Sequence, residues 1–217
     1  MFANQEGGRI DSIGKAQKHG PSLLQTHNTP MEKSEDRLMI APYQGKKPMI
    51  HSEALVSKLA TIVGDVEVGE GTSVFPGCVL RGDVEKITIG RYSNLQENVV
   101  VHCGDLYEGD ILKGYIPVKI GDYVTIGHGA IVHGCEVGDA CLIGSGAIVF
   151  NNASIGGGSI VGMGATVLQN SNIPPRSVVV GTPAKSIKKV DETTYSKIRR
   201  HAMTYNQLAK THRGTLF

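Results

Sequence analysis

"VGDACLIGSGAIVFNNASIGGGSIVGMGATVLQNSNIPPRSVV", residues 137–179, decides the fold. Stepping by six lands on Val137, Ile143, Val149, Ile155, Val161, Val167, Ile173 and Val179, so eight successive units open with Val or Ile. Gly often comes next, as at Gly138, Gly144, Gly156 and Gly162. A period of six matches neither the roughly 3.6 residues of a helix turn nor the period of about 2 of an amphipathic strand. It matches a short strand and a tight turn, repeated. The aliphatic residue points into a thin core, and Gly gives each corner its backbone freedom. A Gly-rich disordered tract would be depleted in the β-branched residues that hold phase here. The stretch predicts a parallel β-helix.

Working outward, the phase recurs at Ile120, Ile126 and Val132, at Ile89, Leu95 and Val101, and at Ile62, Val68, Val74 and Leu80. Val132 to Val137 is one five-residue unit. Residues 104–117, "GDLYEGDILKGYIP", break the phase and predict a loop pushed out of a corner. The solenoid is expected over 51–185. Residues 1–50 lack the period and carry Gly7-Gly8, Gly20-Pro21, Asn28-Thr29-Pro30 and a charged "EKSEDR", which reads as a loosely structured arm. Over 186–217, Tyr195, Ile198, Ala202, Tyr205, Leu208 and Ala209 recur at helical spacing, with Asp191 or Thr193 as N-cap. This predicts an amphipathic helix laid on the solenoid or on a neighbour.

Composition narrows the function classes. Aromatic residues are 5% with no Trp, so the core is narrow and filled by small branched side chains. A net charge of +2, without an Arg/Lys run interleaved with aromatics, argues against nucleic acid. No stretch approaches the roughly 18 apolar residues of a membrane span, and no basic-then-apolar secretory pattern opens the chain. Cys78, Cys103, Cys135 and Cys141 form no CxxC pair and read as buried thiols in a reducing compartment.

The hexads resemble those of hexapeptide-repeat proteins. That resemblance implies three hexads to a triangular coil and left-handed winding: a mainly β, left-handed parallel β-helix with a C-terminal helix and an irregular N-terminal arm. On this plan Ile89, Leu95 and Val101 open the three faces of one coil, and Ile120, Ile126 and Val132 those of the next. His102 follows Val101 and His133 follows Val132, so the two share a face position and should stack at about 4.8 Å. His128, in "TIGHGAIVHGC", holds the third position of the preceding face. It cannot easily meet the others within one chain, but a neighbouring subunit could supply it. Three neutral imidazoles with an open fourth position are the ligand set of a catalytic zinc site. The alternative is a metal-free, hydrogen-bonded histidine ladder on a trimer interface.

At these residues the chain resembles the γ-class carbonic anhydrase family. The matches are "VLRGDVEKITIG", "SNLQENVVVH", "IGDYVTIGHGAIVHGC", "IGSGAIV" and "GTPAK", spread over residues 55–215. The resemblance implies reversible hydration of CO2 to bicarbonate, in a homotrimer or heterotrimer with sites between subunits. His102 and His133 would come from one chain and His128 from the next, holding Zn2+, with Fe2+ or Co2+ as alternatives. Arg81 and Asp83 would form an intersubunit ion pair, Asn94 and Gln96 would orient bicarbonate, and Tyr205 matches a polar position near the site. The chain departs from the pattern in carrying Val84 where the best-studied members have Glu, with Glu85 one place later and turned to the other face. Asp105, Glu108 and Asp110 lie in the loop that replaces the family's acidic one.

The stretches "GRIDSIGKAQKHGPSLLQTH" and "RLMIAPYQGKKPMIHSEA" resemble the N-terminal extension of the γ-carbonic anhydrase subunits of mitochondrial respiratory complex I. This implies a place on the matrix side of the inner membrane, the arm docking onto membrane-arm subunits; the alternative location is cytoplasmic. Two functional readings stay open, a metalloenzyme and an assembly subunit of complex I with weak or lost catalysis. Acyl transfer, the activity of other hexapeptide proteins, is a third.

Overall fold

A computed structural model describes residues 39–217. The hexads form a parallel β-solenoid with three sheet faces, each holding a ladder of inward aliphatic side chains. On the first face the register runs Ile62, Leu80, Val101, Val132, Val149, Val167. The second runs Ile50, Val68, Ile89, Ile120, Val137, Ile155, Ile173. The third runs Val56, Val74, Leu95, Ile126, Ile143, Val161, Val179. The phase read from the sequence is therefore the face assignment. Nearly all these ladder residues merge into one core, and each buried Val, Leu or Ile contributes about 1.5–3 kcal/mol.

Glycine divides into two roles. The glycines that follow the ladder residues are not the left-handed corners. A methyl on Gly144 would lie 2.5 Å from the Met163 amide nitrogen and 2.7 Å from the Gly162 carbonyl carbon, so Gly there lets successive coils approach. The corner itself falls two residues later, at Gly146 (φ +66°), where a methyl would meet open space. Other corners carry Asn98, Asn152 and Asn170, or even Tyr92 and Tyr123, in the same conformation. The expectation that Gly supplies every corner is corrected accordingly.

Residues 104–117 are an ordered hairpin rather than a loop: Gly104–Glu108 pairs antiparallel with Ile111–Ile116. At the N-terminal side, Met39–Ala41 and Met49–Ile50 already pair with Thr61–Val68, so part of the stretch read as arm belongs to the solenoid. The rest of the arm reading lies outside the described residues. Residues 186–189, read with the helix, belong to a strand, Lys185–Lys189, antiparallel to Ser177–Val180. The helix α1 spans Glu192–Thr211, with Asp191 as N-cap accepting from the Thr194 amide. It lies on the third face of its own solenoid, burying Ile198, Ala202, Asn206 and Ala209. Among the described residues no helix is long and apolar enough to cross a membrane.

All four cysteines are free and buried. Burial pushes Cys78, Cys135 and Cys141 up to about 12 and Cys103 to about 11. They pack as apolar side chains rather than nucleophiles.

Candidate metal centre

The first face carries the three candidate histidines, at its two edges. At the edge leading to the second face, His102 and His133 are paired in register, with ring centroids 5.2 Å apart. His102 Nε2 lies 3.1 Å from Asp83 Oδ1, and Asp83 also accepts from Arg81. His133 Nδ1 lies 2.6 Å from Asn151 Oδ1, and its ring stacks on Phe150 at 5.0 Å and 16°. A carboxylate or amide oxygen only accepts, so it selects the protonated ring nitrogen. His102 is left with its lone pair on Nδ1 and His133 with its lone pair on Nε2. These two nitrogens face each other at 3.2 Å.

Burial disfavours charge on Asp83, but the Arg81 and His102 hydrogen bonds outweigh it and hold the carboxyl below its ordinary value. Burial likewise lowers His102, against the pull of Asp83. Within the chain, Arg81 pairs with Asp83. Two residues apart on an extended strand, they project to the same side.

The opposite edge of the face carries the other half. His128 follows the third-face pair Thr125–Ile126, and its Nδ1 lies 2.6 Å from Glu97 Oε2, leaving the Nε2 lone pair free of that bond. Its side chain is 53% exposed, so a neighbouring molecule can reach it. On the adjoining third face, Asn94 Nδ2 donates to Thr125 Oγ1 at 2.9 Å, and Gln96 Nε2 donates to Asn94 Oδ1 at 3.4 Å. Thr125 Oγ1 is 3.3 Å from His201 Nδ1 on α1. Tyr205, one turn further along α1, packs edge-on against Phe75 and beside His201, and burial raises its hydroxyl.

The proposed residues thus sort into two groups. Arg81, Asp83, His102 and His133 lie at one edge; Asn94, Gln96, His128 and Tyr205 lie at or beside the other. Among the described residues no three His, Cys, Asp or Glu side chains converge as a metal cage within one chain.

The donor chemistry fits a metal. With both rings neutral, the two lone pairs facing at 3.2 Å repel, and either a proton shared between the rings or a metal ion relieves the repulsion. Two ligands of a tetrahedral ion at about 2.0–2.1 Å stand roughly 3.3–3.4 Å apart. Each of the three histidines is also oriented through its other nitrogen by an oxygen, the usual support of a metal-ligating imidazole.

Sequence reading missed Glu97, Phe150 and Asn151. Phe150 and Asn151 follow Val149, one coil beyond His133, so carrying the face map one step further would have found them. The acidic residues fare differently. Val84 packs against the core, and Glu85 accepts from the Lys86 amide at 2.9 Å. Glu108 pairs with Lys113.

Residues 117–151 match the family pattern described as "Bacterial transferase hexapeptide (six repeats)". A Methanocaldococcus jannaschii protein named "Probable carbonic anhydrase" is 48% identical over 163 residues, covering 75% of this chain and 97% of that one. The chain belongs to the γ-carbonic anhydrase family. Arabidopsis thaliana "Gamma carbonic anhydrase 2, mitochondrial" is 35% identical over 207 residues, covering 95% of this chain and 73% of that one. This γ-carbonic anhydrase match extends into the first 38 residues. Among solved structures, a hexapeptide transferase family protein from Anaplasma phagocytophilum superposes with a TM-score of 0.73 at 32% identity, covering 81% of this chain and 98% of that one.

Proposed function

We propose that this protein hydrates CO2 reversibly to bicarbonate at a metal site assembled between adjacent subunits of a trimer. The observation that carries the reading is the pair of imidazole nitrogens of His102 and His133 facing each other at 3.2 Å at one edge of the first face, with His128 oriented at the other. A trimer of this chain, or of this chain with related subunits, brings unlike edges together. The outer side of the face supports this, since Val100, Ile131, Phe150 and Leu168 stand exposed on it.

The ion, zinc with Fe2+ or Co2+ as alternatives, supplies a Lewis acid that ionises water near neutral pH. The chain's own residues do the rest. Asp83 and Asn151 fix the ring nitrogens that ligate, and Arg81 holds Asp83 charged. Asn94, its amide engaged by Thr125 and Gln96, holds Gln96 in place to orient bicarbonate, and Tyr205 closes the wall beside them. At this corner Val84 packs against the core, Glu85 is turned onto its own backbone and Asp83 is engaged by Arg81 and His102, so none of the three is free to carry the proton. Turnover is accordingly modest, and the proton leaves through solvent or buffer.

Metal content per chain and CO2 hydration by the purified trimer test this. About one transition metal per chain is expected, and His133→Ala removes metal and activity while the trimer survives. Hydration at the parent rate by that variant refutes the assignment.

A second role is compatible with the first. The match to the Arabidopsis mitochondrial relative covers 95% of this chain and so runs into residues 1–38, whereas the archaeal match leaves a quarter of this chain uncovered. We assign the protein to the matrix side of the mitochondrial inner membrane, as a subunit of complex I docked through the arm. Deleting residues 1–30 should release a folded protein from the complex; a truncated chain that still co-migrates with it refutes this role.

A further inference from the structure

Asn151 touches two parts of the molecule at once. Its Oδ1 lies 2.6 Å from His133 Nδ1. Its Nδ2 makes a long bond, 3.5 Å, to the carbonyl oxygen of Asp105 at the base of the 104–116 hairpin. The second contact fixes which way the amide is turned, because a carbonyl can only accept. The first then fixes the tautomer of His133.

The surrounding backbone is cut to admit this amide. A methyl on Gly104 would run into Asn151 Oδ1. One on Gly134 would lie 2.7 Å from the Gly104 Cα and 2.9 Å from Asn151 Oδ1. Gly134 donates nothing to Asn151; its amide bonds the His102 carbonyl, tying the strands of the two histidines together at the same point. Beyond its base the hairpin projects, with Leu106, Tyr107, Ile111 and Leu112 exposed.

We infer that Asn151 is a positioning residue that clamps the ligand His133 to the hairpin base, so that metal loading and hairpin ordering are coupled. The inference rests on the metal-site reading above. A metal that pulls His133 Nε2 into one position holds the ring, the Asn151 amide and the Asp105 carbonyl in series. Conversely, a frayed hairpin frees the amide and loosens the ligand.

Two variants separate the two arms of the clamp. Asn151→Leu removes acceptor and donor; Asn151→Asp keeps the acceptor for His133 and loses the donor for Asp105. The measurements are Co2+ titration of the full chain, followed by its visible absorption, and hydrogen exchange of residues 104–116 with and without Co2+. In the parent protein the metal should slow exchange in the hairpin. Asn151→Leu should bind Co2+ roughly 10–100-fold more weakly, with fast hairpin exchange whether or not metal is bound. Asn151→Asp should bind within a few-fold of the parent while hairpin exchange stays fast. Parent-like affinity in Asn151→Leu overturns the inference. So does Asn151→Asp binding no better than Asn151→Leu, or parent hairpin exchange that ignores Co2+. A parent chain that takes up no Co2+ overturns the metal-site reading itself, and that outcome is distinct from the other three.

Discussion

The proposed division of the site between two edges of one face makes a numerical prediction. His128→Ala removes the ligand at one edge, and His133→Ala removes a ligand at the other. Each variant alone leaves every site one imidazole short. In a cyclic trimer each site takes one edge from a subunit and the other edge from the next. When the two variants are co-expressed in equal amounts, a site is complete only if the first position holds a His128→Ala chain and the second a His133→Ala chain. Each condition is met half the time, so about one quarter of the sites regain all three ligands. Metal per chain and CO2 hydration should both return to about a quarter of the parent value. The control pairs His102→Ala with His133→Ala, two lesions at the same edge, and should recover nothing. Distinct tags on the two chains verify that mixed trimers formed. If the first mixture recovers no more than the control, the two edges do not meet at a shared site and the reading fails.

Further outcomes follow from the fold. Gly144→Ala should cost about 3 kcal/mol, because the new methyl meets backbone of the next coil. Gly146→Ala should cost only ~1–2 kcal/mol, the strain of a left-handed alanine in open space, and Gly146→Asn less still. Denaturant midpoints at one protein concentration give the order, and a reversed order overturns the two-role account of glycine. Asp191 is held below its ordinary carboxyl value by the Thr194 amide it accepts from. A lowered folded value means the cap stabilises the helix above the unfolded value, near 3.8, and is lost as pH falls through the folded one. Helical circular dichroism should therefore drop below about pH 4 in the parent, with a shallower fall in Asp191→Asn; identical profiles would show that the cap does not titrate with the helix.

Much of this was legible in the sequence, because a six-residue phase is also a map of faces. Ile89 over Ile120, Leu95 over Ile126 and Val101 over Val132 follow from the count once the resemblance to hexapeptide-repeat proteins supplies three hexads to a coil, and they place His102 against His133. What counting could not give was distance. Gly144 and Gly146 look alike in sequence, and only the approach of the next coil separates them. The hairpin showed as lost phase, but its strands carry no alternation, since both sides of Leu106, Tyr107, Ile111 and Leu112 face solvent. Lys185–Lys189 is an exposed edge strand with the same ambiguity. Glu97 and Asn151 were missed because they act through a histidine one coil away.

The breaks in the repeat are more informative than the repeat. Between the first and second faces, Asp65 alone stands opposite Asp83, Val84, Glu85 and Lys86. In the next coil the same corner opens into the 104–116 hairpin, between His102 and Val118. In the coil after that it contracts, His133 reaching Glu136 through only Gly134 and Cys135. Expansion, larger expansion and contraction therefore stack at one corner, around Asp83, His102, His133 and Asn151. A solenoid gains nothing in stability from irregular coils, since each must still bury the same ladder and satisfy the same backbone bonds. Bulges and insertions are tolerated where they aim side chains. Here the extra residues carry the Asp83 carboxylate out to His102, the hairpin base meets the Asn151 amide, and the shortened unit brings Gly134 under that amide. The opposite edge, which contributes His128, keeps its period, because a single exposed imidazole held by Glu97 needs no departure from the ladder.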